Sequence, residues 1–302
     1  MTQQHSISNT VWGLLILLGI IWGGSFFSIS LALREVGVLT SVTHRVGWAA
    51  LVLWGVVIAR GHALPRSARV WIGFAGMGLL NNVIPFILMA WGQTQIETGL
   101  VSILNATTAI FGVLVAAIFL HDERLTKAKA TGAVLGVSGV AVIMGWQALS
   151  SFDPRNLAQL AVLAGTISYA FAGTWARFML KGLPPELAAA GMLGASTMFM
   201  LPIGWMVEGS PFVAVSFTAG AAIAYYAIIA TAAAYLLYYR ILNLAGAGNV
   251  MLVTLMIPVV AITLGALFLG ESLSPRAFAG LALIALGLCV IDGRLFKRRV
   301  TR

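Results

Sequence analysis

Apolar runs about as long as a bilayer is thick recur along the whole chain, separated by charged or Pro/Gly breaks. A helix of roughly 20 apolar residues spans the hydrocarbon core. The pattern therefore predicts ten membrane-spanning helices, at 10–33, 41–59, 69–90, 98–120, 127–146, 157–179, 186–207, 217–239, 246–269 and 276–295. The first run has no positively charged leader region and is too long for a secretory core, so a retained helix is expected and a mature chain starting near Met1. With 302 residues, 60% of them apolar, 9% charged and a mean hydropathy of +0.97, an ordinary soluble globule is excluded. Ten spans take up about two thirds of the chain and leave no room for a soluble domain.

The formal charge of +9 does not point to nucleic acid, because the Lys and Arg residues sit in short segments between apolar runs. They divide unevenly. One set of alternate loops holds 14 of them, including Arg60, Arg66, Arg69, Arg124, Lys127, Lys129, Arg177, Lys181, Arg240 and the tail Lys297, Arg298, Arg299; the other holds Arg34, Arg45, Arg155 and Arg276. Lys and Arg are retained on the cytoplasmic side during insertion, so both termini are expected in the cytoplasm and the protein in the inner membrane, which requires an even number of spans. Cys289 is the only cysteine, which excludes an intrachain disulfide and a Cys-rich metal site.

The chain also repeats itself. Glu123, Leu125, Thr126, Gly132, Gly139, Val142 and Ile143 recur at a constant offset of 148 as Glu271, Leu273, Ser274, Gly280, Gly287, Val290 and Ile291. The offset covers five predicted helices, an odd number, so the two copies enter the membrane in opposite directions. The expected units are 1–150 and 151–302. Two like halves of opposite orientation can exchange conformations, which is the logic of a transporter.

Phe-Leu-His-Asp-Glu-Arg-Leu-Thr at 119–126 and Phe-Leu-Gly-Glu-Ser-Leu-Ser at 268–274, each before a Gly-spaced helix, resemble the EamA repeat. The whole chain is similar to the drug/metabolite transporter superfamily, whose ten-helix members are mainly bacterial metabolite exporters; the YddG-type amino-acid exporters are one subgroup. The resemblance implies an all-α membrane fold of two inverted five-helix repeats. It also implies a central cavity lined mainly by helices 1, 3, 4, 6, 8 and 9, with helices 5 and 10 peripheral. The halves differ in one respect: Ala109 stands where the second half has Pro258.

No Asp or Glu lies in the middle of a predicted span, so no buried carboxylate relay is evident, and helices 3, 4, 8 and 9 carry no central cation, which disfavours sugar phosphates. What the spans do hold is neutral: Asn81 and Asn82, Asn105 and Thr108, Tyr235, Tyr238 and Tyr239, Asn249 and Thr254. Such a lining suits an uncharged or zwitterionic solute of modest size. Asn105 and Thr254 read equally as bonds between helices, each worth about 0.6 kcal/mol. Asn81 and Asn82 point about 100° apart, so at least one turns from lipid. Tyr239 reads as part of an interfacial aromatic belt, while Tyr235, a turn deeper, needs a partner for its hydroxyl. Trp22 and Ser25 flank Gly23 and Gly24 in helix 1, and the matching stretch of helix 6 holds Tyr169; these glycines read either as packing or as an opening beside aromatic cavity walls.

His44 and Arg45 fall at the external start of helix 2. For Arg45 two readings stand, snorkelling to headgroups and a gating or carboxylate-binding role. His44 is the one histidine near a span and a weak pointer to proton coupling. Pro85 and Pro258 are the expected hinges, each deleting a helical hydrogen bond. Glu123 and Glu271 are expected to complement the amino terminus of the helix that follows each. The pairs Gly132 with Gly136 and Gly280 with Gly287 offer small faces for contact within the chain or between protomers, so monomer and homodimer both stand.

The reading is an exporter of amino acids, aromatic or otherwise neutral, or similar metabolites by alternating access, with no cofactor or metal and with the bilayer and a small solute as partners. A hydrophobic-cation or multidrug exporter is the alternative, and would need a cavity acid. A membrane-embedded transferase would need clustered acids or a nucleophile and base at one depth; His5, His44, His62 and His121 are scattered.

Overall fold

The computed structural model describes residues 8–120, 125–145, 154–245, 250 and 252–292, which form ten helices and no strand. In order these are α1 (Asn9–Ala32), α2 (Val38–Ala59), α3 (Ala68–Gln93), α4 (Thr98–Phe119), α5 (Lys127–Met144), α6 (Pro154–Met179), α7 (Pro185–Glu208), α8 (Phe217–Ala245), α9 (Val253–Leu269) and α10 (Pro275–Asp292). The first eight are long and apolar enough to cross a bilayer, and α9 and α10 are shorter apolar helices. Side chains such as Ile58, Ile118, Met206 and Phe217 are exposed. Apolar surface on this scale is an aggregation liability in water and is at home against lipid. The protein is an all-helical multi-pass membrane protein.

Some ends differ from the hydropathy breaks. α3 continues from the expected 90 to Gln93, and α8 from 239 through Arg240 to Ala245. A charge marks where hydrocarbon ends, whereas helical hydrogen bonding runs on into the interface. Glu123, Asn249 and the basic tail at Lys297, Arg298 and Arg299 lie outside the described residues.

The glycines of the repeat explain its geometry. A Cβ on Gly132 would lie 2.5 Å from the carbonyl oxygen of Gly287, and one on Gly139 2.7 Å from that of Gly280; the reverse contacts are as tight, at 2.5 and 2.6 Å. Residue numbers rise in α5 as they fall in α10, so the two helices pack antiparallel, backbone against backbone. The offset of 148 exchanges Gly132 with Gly280 and Gly139 with Gly287, so it maps one contact onto the other. That is the internal two-fold relation an inverted repeat requires. These small faces are thus spent inside the chain.

α2 and α7 form a second antiparallel pair, with Thr43 against Gly204 and Trp54 against Gly194. Around these pairs, α1 packs on α8 and α9 while α6 packs on α3 and α4, the same arrangement generated from the other half.

π-helical turns fall at matching places in the two halves, Gly78–Val83 in α3 and Tyr225–Ala233 in α8; a third, Gly265–Leu269, ends α9. A π turn adds a residue to the turn and re-aims side chains, commonly at functional sites. In α3 the turn precedes Pro85, which has no N–H to offer the Asn81 carbonyl. α4 is interrupted at Ala106 and Thr107, where Thr107 Oγ1 donates to Leu104 O (2.7 Å) and to Thr166 Oγ1 (3.2 Å).

Candidate functional site

The helices enclose a central cavity of about 640 Å³, within the roughly 300–1,000 Å³ usual for small-molecule sites. α1, α3, α4, α6, α8 and α9 line it, and so do α2 and, through Met192, α7; α5 and α10 do not. The contribution of α2 was not expected from the sequence.

Arg45 is the reason that contribution matters. It lies seven residues inside α2, about 10 Å from the helix start at 1.5 Å per residue, and faces the cavity rather than the outer headgroups. Its Nε donates to Thr231 Oγ1 at 3.0 Å, and its guanidinium carbon sits 3.8 Å from the centre of the Phe86 ring. Thr231 is oriented by donating to Tyr226 O across the α8 π turn (2.8 Å), and Tyr226 is tied to Ser41 of α2 (3.1 Å). Stacking and one hydrogen bond hold the guanidinium. No carboxylate among the described residues pairs with it, and none lines the cavity.

The other half of the wall is neutral and polar. Asn81 Nδ2 donates to Tyr235 Oη at 2.9 Å and to Asn82 Oδ1 at 3.3 Å, and Tyr235 Oη donates to Asn82 Oδ1 at 3.3 Å. Asn82 is fully buried behind this wall, where its Nδ2 donates to Ser196 Oγ (2.9 Å), itself bonded to Met192 O and Gly78 O. The π turn sends the two adjacent amides to different tasks, Asn81 to the cavity and Asn82 to the α3–α7 contact. Tyr169 also faces the cavity, and its hydroxyl has no hydrogen-bond partner among the described residues.

Trp22, Tyr238 and Tyr239 form an aromatic stretch, with ring centres 5.8 Å apart for Trp22 and Tyr238 and 5.4 Å for the two tyrosines. Tyr239 is therefore a cavity residue in addition to standing near a helix end. Ser25, Asn105, Thr108 and Thr254 line the cavity too; Ser25 Oγ donates to Trp22 O (2.6 Å), and Thr108 Oγ1 to Asn105 Oδ1 (3.5 Å) across the break in α4.

Three of the residues expected to gate lie away from the wall. Pro85 is buried against Gly165 of α6, and Pro258 is buried within α9. His44 receives a hydrogen bond at Nδ1 from Trp48 Nε1 (3.1 Å), which leaves Nε2 to donate to Pro211 O (2.9 Å). That network assigns a neutral imidazole with both nitrogens satisfied. Gln93, Phe86, Met89 and Thr231 join the wall without having been singled out. Gln93 had been placed beyond the end of its helix, and Thr231 sits in an alanine-rich run that carries no polar signal of its own.

The two ends of the bundle differ. Where α1 meets α2, and α7 meets α8, carboxylates clasp helix starts across the halves. Glu208 accepts from Leu39 N and Thr40 N (3.0 and 2.8 Å) at the start of α2, and Glu35 from Ser216 N and Oγ (2.8 and 2.6 Å) at the start of α8. Glu271 accepts from Thr98 N and Gly99 N (2.8 and 3.1 Å). Its charge thus complements the amino terminus of α4, not that of α10 as expected, because α4 presents free first-turn N–H groups to it across the interface. Arg155 Nη2 donates to both carboxylate oxygens of Glu97 (3.1 and 2.8 Å) at the same end. The Glu35 carboxyl is held below its ordinary value of 4.5 by the Ser216 hydrogen bonds. The cavity runs away from this clasped end, past the aromatic stretch, to Arg177 and Leu242 near the opposite, basic end. There Arg60 pairs with Glu186, and Arg69 donates to Phe178 O (3.3 Å).

The chain as a whole is similar to known proteins. A model of the EamA-like transporter family matches residues 10–145 and again 156–292. A probable terminal-alkyne amino-acid exporter of Streptantibioticus cattleyicolor is 30% identical, over 97% of this chain and 96% of its own. The uncharacterized inner membrane transporter YedA of Escherichia coli is 24% identical over 93% and 90% of the two chains, and the uncharacterized transporter YoaV of Bacillus subtilis 21% over 95% and 98%. A solved crystal structure superposes with a TM-score of 0.69 over 97% of this chain and 100% of its own at 20% identity, a likeness of fold alone. With two family matches that between them cover nearly the whole length, the chain belongs to the EamA-like transporter family of the drug/metabolite transporter superfamily, and is a carrier of small molecules in a lipid bilayer rather than an enzyme.

Proposed function

We propose that the protein exports neutral amino acids or closely similar zwitterions from the cytoplasm across the inner membrane by alternating access. The observation that carries this reading is Arg45, a cation in the cavity wall with two guanidinium nitrogens to spare and no carboxylate facing it. A substrate carboxylate supplies the missing anion, and guanidinium and carboxylate match in planar, two-bond geometry. The substrate ammonium faces the neutral acceptors on the opposite wall, at Asn81 and Tyr169, and an apolar or aromatic side chain packs on Trp22 and Tyr238. A hydrophobic cation would meet Arg45 with no acid to offset it. The Streptantibioticus cattleyicolor relative, a probable terminal-alkyne amino-acid exporter, supports the same substrate class.

The division of Lys and Arg makes the basic end cytoplasmic. On that orientation the cavity opens inward and the carboxylate clasps close the outer end, a loading state for export. The two-fold relation of the halves provides the alternative, outward-open arrangement. The decisive experiment is counterflow of radiolabelled amino acids, aromatic and aliphatic, in proteoliposomes, alongside analogues that lack the carboxylate. Saturable counterflow restricted to substrates bearing a carboxylate is expected; rates no higher than in empty vesicles across the amino acids would refute the reading.

A further inference from the structure

A second cavity, of about 480 Å³, lies at the clasped end and shares no wall residue with the central one. It forms where the first turns of α6 and α10 meet the last turn of α5, which places it at headgroup depth. Both helix starts stand at this cavity with their positive dipole ends.

Three further features define its chemistry. Arg276 is a wall residue, and one of its guanidinium nitrogens lies 2.9 Å from where a Cβ on Gly145 would stand, so the glycine (φ +76°) is what admits the cation beside the end of α5. Arg276 makes no ion pair with a described residue, whereas its neighbour Arg155 is engaged by Glu97. Gln159 is 4% exposed, and its Oε1 has no hydrogen-bond donor among the described residues. A buried orphan acceptor is rare and signals a missing partner. Leu100, Ile143, Met144, Pro275 and Ala277 make up the apolar part of the wall, and Asn156 and Ser274 add neutral polar groups.

The occupant must therefore offer an anion to Arg276, a hydrogen-bond donor to Gln159 and an apolar part to Leu100, Ile143, Met144 and Ala277. We propose that this cavity binds the headgroup of a membrane phospholipid whose phosphodiester carries a hydrogen-bond donor, as in ethanolamine and glycerol lipids, with Arg276 taking the phosphate and Gln159 Oε1 the donor. Choline lipids have the same phosphate and no donor. They are the discriminating control.

The test uses the full chain in detergent, titrated with phosphatidylethanolamine or phosphatidylcholine of identical acyl chains, with lipid adducts counted by native mass spectrometry and melting temperature followed in parallel. The ethanolamine lipid should bind about tenfold more tightly, the ratio expected from one hydrogen bond to a charged donor. Gln159→Leu should bring the two lipids level by weakening only the ethanolamine lipid, and Arg276→Gln should weaken both. If Gln159→Leu does not fold, Gln159→Asn withdraws the same acceptor while keeping an amide. Equal binding of the two lipids by the unaltered protein, a preference that survives loss of the Gln159 acceptor, or adducts indifferent to Arg276→Gln would each overturn the proposal. Competition by soluble phosphoethanolamine as strong as by the lipid would overturn the membrane source.

Discussion

Replacing Arg45 with Gln separates a substrate-binding cation from a structural one. Its Nε is committed to Thr231, which leaves the two terminal nitrogens for a carboxylate. A hydrogen bond to a charged group contributes about 1.5–3 kcal/mol net, and two unit charges about 4 Å apart at an effective dielectric of about 20 attract by about 4 kcal/mol. Allowing for desolvation of both ions, the bidentate pair is worth about 3 kcal/mol, or roughly a hundredfold in apparent affinity at about 1.4 kcal/mol per tenfold.

Folding should change less than binding. The protein loses one charge-assisted hydrogen bond of about 1.5–3 kcal/mol and a stacking contact of about 0.5–2 kcal/mol, and this is offset by relief from a cavity charge that has no counter-ion among the described residues. Counterflow over a range of substrate concentrations, with a melting curve in detergent, reads both quantities. Arg45→Lys keeps the charge but loses the planar pair of donors, and should fall between the two, near tenfold. A normal half-saturation concentration in Arg45→Gln, together with a collapse in melting temperature, would refute the reasoning and assign Arg45 to structure.

Asn82→Ala should cost about 1–3 kcal/mol of stability, seen as reduced melting temperature and membrane yield, because Ser196 and Tyr235 lose a buried partner; Tyr235→Phe should instead impair transport more than yield. Gly139→Ala should force α5 from α10, since its Cβ would lie 2.7 Å from the Gly280 carbonyl, at about 1–3 kcal/mol, readable as a lower melting temperature. Glu271→Gln leaves two backbone donors facing a neutral group and should favour the outward-open state by about fivefold or more, measured as faster labelling from outside of a reporter cysteine at Ile29 in a Cys289→Ala background. For Glu35, a folded-state pKa below 4.5 means that its clasp on Ser216 is at full strength above that pH and is lost only as pH falls further; labelling at that joint should be flat from pH 7 to 5 and rise only in stronger acid.

The helices were legible in the chain because each must match a bilayer thickness by itself, and that demand is local. Their inversion followed as well, since an offset of 148 spans an odd number of spans whatever their packing. The neutral polar part of the cavity wall was visible in Asn81, Asn105, Tyr235 and Thr254 for a similar reason: polar groups in a span need a partner other than lipid. Other matters depended on what lies opposite. Gly132 and Gly287 could equally have faced another protomer, and only the backbone contact of α5 with α10 assigns them to the interior. Asn81 and Asn82 are equivalent as sequence, but a π turn gives one to the cavity and buries the other. Arg45 looked like a residue at a helix entrance until Thr231, 186 positions away, and Phe86 placed its charge in the cavity. Glu271 carries the repeat signature, yet its partners are the amides of Thr98 and Gly99, 173 and 172 positions away. Hydropathy along a chain reports each residue against an average solvent, whereas a site is made by particular neighbours, and those come from the other half.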